Sequence, residues 1–249
     1  MKKTTLNYLR MVAVSILSFI FLVSTAQRSP FRSGYLRLGF NNLGHKMDNS
    51  QTGLENVVNG NLGAKKGFAL DFGHIYYFNK NADFPIKFGL DWTYISLSYN
   101  KLDWSDYVSS KGDPEAYIDG KKMALSAGTK AGLNLSVNPV EYLVIDARAQ
   151  LGLSWYLFDQ EYYAHEGEAN ESYFSFTDNR DENDEGESVK HRLRNAFNPN
   201  FGITIRRKAI GLSLDYMPAK VDYYYDSSES HGKSKFKVPS LQLKLSITL

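Results

Sequence analysis

The sequence contains no cysteine, which excludes disulfide bonds and any chemistry that needs a thiolate. Charge of one sign is also missing, because 29 basic side chains are balanced by 27 acidic ones, for a net charge of +2. Basic residues do not form a continuous stripe along the sequence, so nothing favours a nucleic-acid partner. After residue 23, no apolar run approaches the roughly 20 residues that a membrane-spanning helix needs. The 249 residues are enough for one large β domain or two small ones.

The N-terminus carries the one long apolar run, over residues 11–23. Basic residues precede it, and the small residues Ser24 and Ala26 follow it at the positions that a signal peptidase reads. The run is too short to cross a bilayer as a helix. We therefore predict a cleaved export signal over residues 1–26 and a single domain over residues 27–249. A retained membrane anchor is the alternative.

Eight segments of the mature chain alternate apolar and polar residues, which is typical of strands with two different faces. They cover residues 33–40, 66–78, 85–99, 123–137, 142–156, 197–206, 210–218 and 237–249. The breaks between them alternate long and short, and we expect the long ones to be loops. In an up-and-down sheet, this places every long loop at one end. The pattern predicts an all-β fold, an eight-stranded antiparallel up-and-down barrel.

Two kinds of barrel share this alternation. A soluble, lipocalin-like barrel has its apolar face inside, whereas a transmembrane barrel turns that face to lipid. Glycine, alanine and serine crowd the polar face here, which suits the narrow interior of an eight-stranded barrel. Aromatic residues near strand ends suit the two membrane interfaces. These are Trp92, Tyr94, Trp155, Tyr156, Tyr76, Tyr77, Phe78 and Tyr142. We predict a transmembrane barrel and keep the soluble barrel as the alternative.

The polar face carries ten charged residues of mixed sign. They are Arg37, Asp71, Lys87, Asp91, Lys130, Asp146, Arg148, Arg206, Asp215 and Lys244. Buried charges are tolerated only when they are paired. We therefore predict a salt-bridge network that plugs the interior, because eight strands are too few to enclose an aqueous channel.

Candidate catalytic residues are few. His74 falls on the apolar face of the second segment, where a polar residue at a membrane interface is the favoured interpretation. An enzyme acting on lipid A would be the alternative use of a lipid-facing histidine. The other histidines are scattered through the breaks, and no Ser/His/Asp spacing singles itself out. They are His45, His165, His191 and His231. No catalytic residue and no cofactor is predicted.

One long break combines acidic and basic residues. Asp181, Asn183, Glu185 and Gly186 resemble the start of a calcium-binding loop, but its twelfth position is Arg192 instead of glutamate. A solvated acidic loop is the better interpretation, and no metal site is predicted. The basic stretch that follows offers a direct contact for lipopolysaccharide phosphates. It comprises Lys190, His191, Arg192 and Arg194.

The mature chain as a whole resembles the small eight-stranded outer-membrane barrel proteins, the group that includes OmpX-, OmpA-barrel- and OmpW-like proteins. The resemblance rests on the export signal, the eight segments, the loop asymmetry and the last segment. It implies that the last segment is read by the barrel-assembly machinery, through Leu243, Leu245, Ile247 and Leu249. In that group the chain usually ends in an aromatic residue, and Leu249 departs from this. Gln27 and the composition resemble Bacteroidota proteins.

The resemblance implies a non-enzymatic protein of the Gram-negative outer membrane. Its extracellular loops would contact lipopolysaccharide, surfaces or a larger envelope complex, and its other partners would be membrane lipid and the assembly machinery. Two alternatives stay open, because fold alone does not fix function. One is a surface enzyme acting on lipid A or peptides. The other is an OmpW-like carrier of small hydrophobic molecules, with a lateral opening where Pro199 and Pro218 interrupt the strand pairing.

Overall fold

The computed structural model describes residues 30–79, 84–165, 171–177, 187–190, 192–226 and 231–249. Within these residues the fold is all-β, with ten strands and two short helices. The strands are β1 (Gly34–Leu43), β2 (Gly67–Tyr77), β3 (Ile86–Lys101), β4 (Tyr117–Val140), β5 (Leu143–His165), β6 (Glu171–Thr177), β7 (Glu187–Lys190), β8 (Leu193–Arg207), β9 (Ile210–Asp226) and β10 (His231–Thr248). The helices are α1 (Gly53–Asn59) and α2 (Ser105–Ser109). The predicted export signal lies outside the described residues.

Eight of the strands pair in a closed ring of antiparallel ladders. The order is β1-β2-β3-β4-β5-β8-β9-β10, and β10 pairs back onto β1. Each predicted segment overlaps one of these eight strands and extends at most one residue beyond either end of it. The closing ladder brings the backbones very near each other, because a Cβ added at Gly39 would overlap the carbonyl oxygen of Leu243. The closed ladder leaves neither terminal strand with a free edge.

The two ends of the ring differ. One end, here called the proximal end, holds the described chain termini and the tight turns after β4 and β8. The opposite, distal end holds both helices and the two remaining strands. β6 and β7 are parallel to each other and join β5 to β9 beyond the end of β8. No helix in the described ranges is long and apolar enough to cross a bilayer.

The inner and outer faces exchange polarity partway along β9 and β10. On the outer face of β9, the apolar side chains from Ile210 to Tyr216 are 43–61% exposed. Beyond Pro218, the same face carries Lys220 and Asp222, which are exposed. The inner face changes in the opposite sense. On β9, its buried side chains pass from Ser213 and Asp215 to Met217, Ala219, Val221 and Tyr223.

β10 repeats this exchange at Pro239, which pairs directly with Pro218. Toward the proximal end, its outer face is leucine-rich, and beyond Pro239 the outward residues are Lys237, Lys235 and Lys233. The strands therefore keep their alternation while their apolar face turns from the outside to the inside. On β9 and β10, this exchange separates a proximal part with an apolar exterior from a distal part with an apolar interior.

The distal part corrects our expectation that the long breaks are loops. β5 runs on to His165, β9 runs to Asp226 and β10 already begins at His231. β6 and β7 lie in the break that we expected between the fifth and sixth segments, so the strand count is ten and not eight. These stretches read as polar breaks because their outward residues face water, although their inward residues still pack in a core.

Both helices belong to the distal part. α1 begins at a capping box, in which the Thr52 side chain accepts from the Glu55 N–H and the Glu55 carboxylate accepts from the Thr52 N–H. Its buried residue Val57 and the buried residues Tyr107 and Val108 of α2 join the apolar side chains of the distal strands in one core. The helices thus fill the distal end of the ring.

Candidate functional site: the luminal charges and the distal core

Nine of the ten charged residues predicted for the interior form buried ion pairs. The pairs are Arg37–Asp91 (3.4 Å), Lys130–Asp71 (3.1 Å), Arg148–Asp215 (2.6 Å), Arg206–Asp146 (2.8 Å), Lys244–Asp215 (2.9 Å) and Lys244–Asp71. Each of the eight ring strands contributes at least one of these residues. Each pair joins strands that are neighbours or next-but-one neighbours in the ring, and the shared carboxylates of Asp71 and Asp215 link several pairs into one network.

The tenth residue, Lys87, is buried but has no carboxylate within 4 Å among the residues described. Its ammonium instead lies 4.9 Å from the ring centre of Phe31 and 5.6 Å from that of Tyr77. Cation–π contacts of this kind stabilise a cationic side chain that is buried away from water. Lys87 thus belongs to the proximal mouth and not to the ion-pair network.

The segment before β1 closes that proximal mouth. Arg206 donates to the carbonyl oxygen of Pro30 at 3.1 Å, and Arg32 donates to that of Thr248 at 3.4 Å. Phe31 is buried and packs edge-on against Tyr77, with 5.9 Å between ring centres. Tyr77 therefore points inward and does not lie in the outer aromatic girdle that we expected for it. The interior is sealed at this end by side chains and backbone.

Neutral polar side chains fill much of the interior between the ion pairs. Gln150 donates to Thr93 Oγ1 at 3.3 Å and accepts from Asn200 at 2.9 Å. Tyr35 is fully buried and donates to Asp91. A buried polar network of this kind is rigid when its members are satisfied. Chemically, the arrangement can hold the ring in one shape, because its side chains are buried in a narrow interior.

Distal to these charges, an aromatic core fills the ring. Trp104 is 1% exposed and lies 5.3 Å from Phe174 and 5.7 Å from Tyr162, measured between ring centres. Its indole N–H donates to the Leu62 carbonyl oxygen at 2.9 Å. The sequence did not reveal this core, because most of its members come from segments that we expected to be loops. A signal that could have indicated it is the pair of aromatic residues in the polar stretch "LDWSDY".

Glu187 of β7 fastens α1 to this distal core. Its carboxylate accepts from the Thr52 hydroxyl at 2.9 Å and from the Leu54 N–H at 2.8 Å. Tyr107 of α2 donates its hydroxyl to the Gln51 carbonyl oxygen at 2.8 Å. These bonds connect segments that are far apart in sequence. The described distal connections are therefore parts of one folded surface.

The histidines within the described ranges do not converge. His45 and His231 are exposed in the distal part, while His74 lies at the proximal end of β2, with its ring centre 4.5 Å from that of Tyr76. Among the residues that the structure describes, no group of three or more His, Asp and Glu side chains has the arrangement of a metal site. His191 and the calcium-loop-like residues, Asp181, Asn183, Glu185 and Gly186, lie outside the described residues, as does the side chain of His165.

The basic stretch predicted to contact lipopolysaccharide phosphates is engaged within the chain. Lys190 pairs with Asp226 at 3.1 Å, and Arg192 pairs with Asp159 at 3.3 Å. The Arg194 guanidinium lies 5.2 Å from the ring centre of Tyr224. These three side chains brace the distal wall.

The strand pairing is interrupted near Pro199 and Pro218. The β8–β9 ladder ends at Phe201 opposite Tyr216, although β8 stays paired with β5 as far as Leu193. If the ladder continued in register, the two prolines would face each other, and neither has an N–H to donate. A cavity of about 680 Å³ lies in the resulting gap.

The gap does not lead into the interior. Behind it, Tyr156 is 2% exposed, and Asn198 donates to its hydroxyl at 3.4 Å. Met217 lies beside it, with its sulfur 3.9 Å from that hydroxyl. Tyr156 thus faces inward, contrary to our expectation of a membrane-interface position. The gap is an outward-facing recess.

The C-terminal residues that the resemblance singled out lie in the closing strand. Leu243 and Leu245 project outward and are about half exposed. Ile247 is half-buried, and the Leu249 N–H donates to the Gly34 carbonyl oxygen at 2.8 Å. The outward face of this stretch is therefore apolar, and the stretch lies next to β1.

No family model and no curated protein matches the chain. Solved structures give distant likenesses that span most of it. Ail, the attachment invasion locus protein of Yersinia pestis, is 12% identical with a TM-score of 0.40, over 88% of this chain and 99% of its own.

Neisserial surface protein A is also 12% identical, with a TM-score of 0.35, over 87% of this chain and 97% of its own. A major outer membrane protein from Thermus thermophilus is 8% identical with a TM-score of 0.33, over 87% of this chain and 99% of its own. All these scores are below 0.5, so a function for the chain has to be derived from its own residues.

Proposed function

We propose that this chain is a non-enzymatic outer-membrane protein, an eight-stranded transmembrane barrel that presents a folded platform outside the cell. The observation that carries this is the exchange of faces at Pro218 and Pro239. Toward the proximal end the exterior is apolar, as lipid requires, and the interior is polar. Toward the distal end the faces are those of a water-soluble protein. A membrane boundary at the paired prolines accounts for the apolar exterior of the proximal part and for the apolar interior of the distal part.

The orientation follows from the connections. Outer-membrane barrels have short turns on the periplasmic side and long loops on the extracellular side. The tight turns after β4 and β8 are then periplasmic, and the helices, β6 and β7 are extracellular. In this proposal residues 1–26 act as the export signal, and the barrel-assembly machinery recognises the apolar outward face of β10.

The buried ion pairs and the distal core favour a scaffold over a channel. Arg37, Lys244 and Asp91 are each at most 2% exposed, so the barrel centre is filled. The distal segments are bound to one another, which makes the platform a surface of fixed shape. A rigid platform of this kind suits contact with a surface or with another envelope protein. We do not favour a carrier of hydrophobic molecules, because the β8–β9 gap is closed behind by Tyr156.

Single cysteines test this topology directly, since the chain has none of its own. We would place one at Asn59 in α1, one at Glu141 in the turn after β4, and one at Leu212 on the apolar outer face. In intact cells, a membrane-impermeant maleimide should label Asn59→Cys alone. Glu141→Cys should react only after the outer membrane is permeabilised, and Leu212→Cys only after detergent extraction.

Equal labelling of all three cysteines in intact cells would contradict the membrane assignment. Labelling of Glu141→Cys with protection of Asn59→Cys would reverse the orientation. Heat-modifiable gel mobility of each variant serves as the matched control, because it shows that the barrel has folded before the labelling is compared.

A further inference from the structure

We propose that the recess between β8 and β9 binds the phosphate-bearing headgroup of a membrane lipid. The site rests on the membrane position proposed above, because the recess lies where the faces exchange polarity. Its structural basis is the interrupted ladder. Between Met217 and Tyr223, the edge of β9 that faces β8 has no strand partner among the described residues. The Asn198 side chain accepts from the Lys220 N–H at 2.9 Å and so holds the recess open at a fixed width.

The recess has an apolar side and a cationic side. Phe197, Pro199 and Pro218 form the apolar side, and the Phe197 side chain is 76% exposed. Lys220 and Lys235 line the cationic side, beyond the two prolines toward the distal end. An acyl chain can lie along the phenyl ring while the lysines reach up to the headgroup, as long cationic side chains do at membrane interfaces.

Like charges lie close together on the strands next to the recess, and an anion bound there would offset their repulsion. Lys220 lies directly opposite Lys237 in the β9–β10 ladder, and both side chains are exposed. Like charges in this position destabilise a sheet. Neither of them, nor Lys235, has a carboxylate within 4 Å in the described part of the chain. Asp222 also lines the recess, but it pairs with Lys233 at 3.1 Å.

A phosphate group meets these requirements better than a carboxylate or a neutral headgroup. It carries up to two negative charges and several acceptor oxygens, so it can bind two ammonium groups at once. Free phosphate would use the lysines but leave Phe197 exposed. A lipid phosphate uses both sides of the recess, which is why the ligand we infer is amphipathic. The basic stretch of Lys190, Arg192 and Arg194 is already engaged within the chain and does not compete for this role.

The test is lipid retention by the folded, detergent-solubilised protein, measured by native mass spectrometry. The probes are lipid A, its dephosphorylated form, phosphatidylglycerol and inorganic phosphate as competitor. We expect phosphorylated lipid A to bind at least tenfold more tightly than the dephosphorylated form. The double variant Lys220→Gln/Lys235→Gln should lose about that factor. Lys122→Gln, which changes a lysine on β4 away from the recess, should bind within twofold of wild type.

Each outcome decides the matter. Tight binding of lipid A alone would assign the site to the glycolipid of the outer leaflet, and equal binding of phosphatidylglycerol would assign it to phospholipids generally. Displacement by inorganic phosphate alone would show a headgroup site without an acyl contribution and would overturn the amphipathic ligand. Equal retention by wild type and the double variant would overturn the site. Because every variant is first shown to fold by heat-modifiable mobility, this result is distinct from failure of the barrel proposal.

Discussion

The ammonium of Lys244 lies 2.9 Å from a carboxylate oxygen of Asp215. The same ammonium also contacts Asp71, so the closing strand is held by two carboxylates from two different strands. Lys130 and Arg148 are the other partners of these carboxylates. The last strand is thus connected to β2, β4, β5 and β9 through a single buried side chain.

Replacing Lys244 with methionine should lower the free energy of unfolding by about 3–5 kcal/mol. Methionine keeps the volume but removes the charge that two buried aspartates share. The measurement is urea unfolding of the protein folded in lipid vesicles, with the folded fraction read from gel mobility. Lys237→Met, on the exposed face of the same strand, is the control and should stay within about 0.5 kcal/mol of wild type. Equal effects of the two substitutions would contradict the buried network.

Much of the proximal part could be predicted from the sequence. Alternation identified all eight ring strands, because a lipid-facing or core-facing row has to repeat every second residue. The same rule placed the ten charged residues on one face. It did not show that Lys87 would pair with aromatic rings, since its neighbours Phe31 and Tyr77 come from different segments. Which side chains meet inside a barrel depends on the register of the strand pairing, and that register cannot be read from the sequence alone.

The distal part could not be predicted, for a related reason. A period-two pattern reveals two faces but not which of them is buried. When the faces exchange at Pro218 and Pro239, the outward lysines and aspartates make a strand look like a loop. The core around Trp104 also needs Tyr162 and Phe174, which only the folded chain brings together. The recess depends on where the β8–β9 ladder stops, which the two prolines indicate but do not fix.

Charge on the outer face should be tolerated distally and not proximally. Leu214 and Tyr224 both project outward from β9 and are 43% and 48% exposed. Leu214→Arg should cost about 2–4 kcal/mol, because it places a charge against lipid. Tyr224→Glu should cost no more than about 1 kcal/mol, because the new carboxylate lies beside Arg194 and Lys233. Urea unfolding in vesicles compares the two, and a larger loss for Tyr224→Glu would contradict the position of the membrane boundary.

Stability at the start of α2 should depend on pH through Asp103. The Ser105 hydroxyl and N–H donate to its carboxylate at 2.6 and 3.1 Å, and these hydrogen bonds lower the pKa of Asp103 to about 2. Because the folded pKa lies below the unfolded value of about 4, the stabilisation is complete above about pH 5 and is lost as the pH falls through about 2.

Asp103→Asn should therefore cost about 1 kcal/mol at pH 6 and close to nothing at about pH 1. Amide hydrogen exchange of α2 in the two proteins measures the difference at each pH. A difference that is independent of pH would show that the carboxylate charge does not act at this helix.

Two glutamines on the inner face of β5 should respond oppositely to the same substitution. Gln160 is fully buried, and neither of its amide atoms has a hydrogen-bond partner in the described structure. An unsatisfied buried amide costs about 1–3 kcal/mol, so Gln160→Leu should raise the free energy of unfolding by a similar amount. Gln150 is also buried, but it bonds to Asp91, Thr93 and Asn200, so Gln150→Leu should lower that free energy. Urea unfolding of both variants in vesicles measures the contrast. A loss of stability in Gln160→Leu would mean that its amide is bonded in the folded protein and that the distal core is more polar than described.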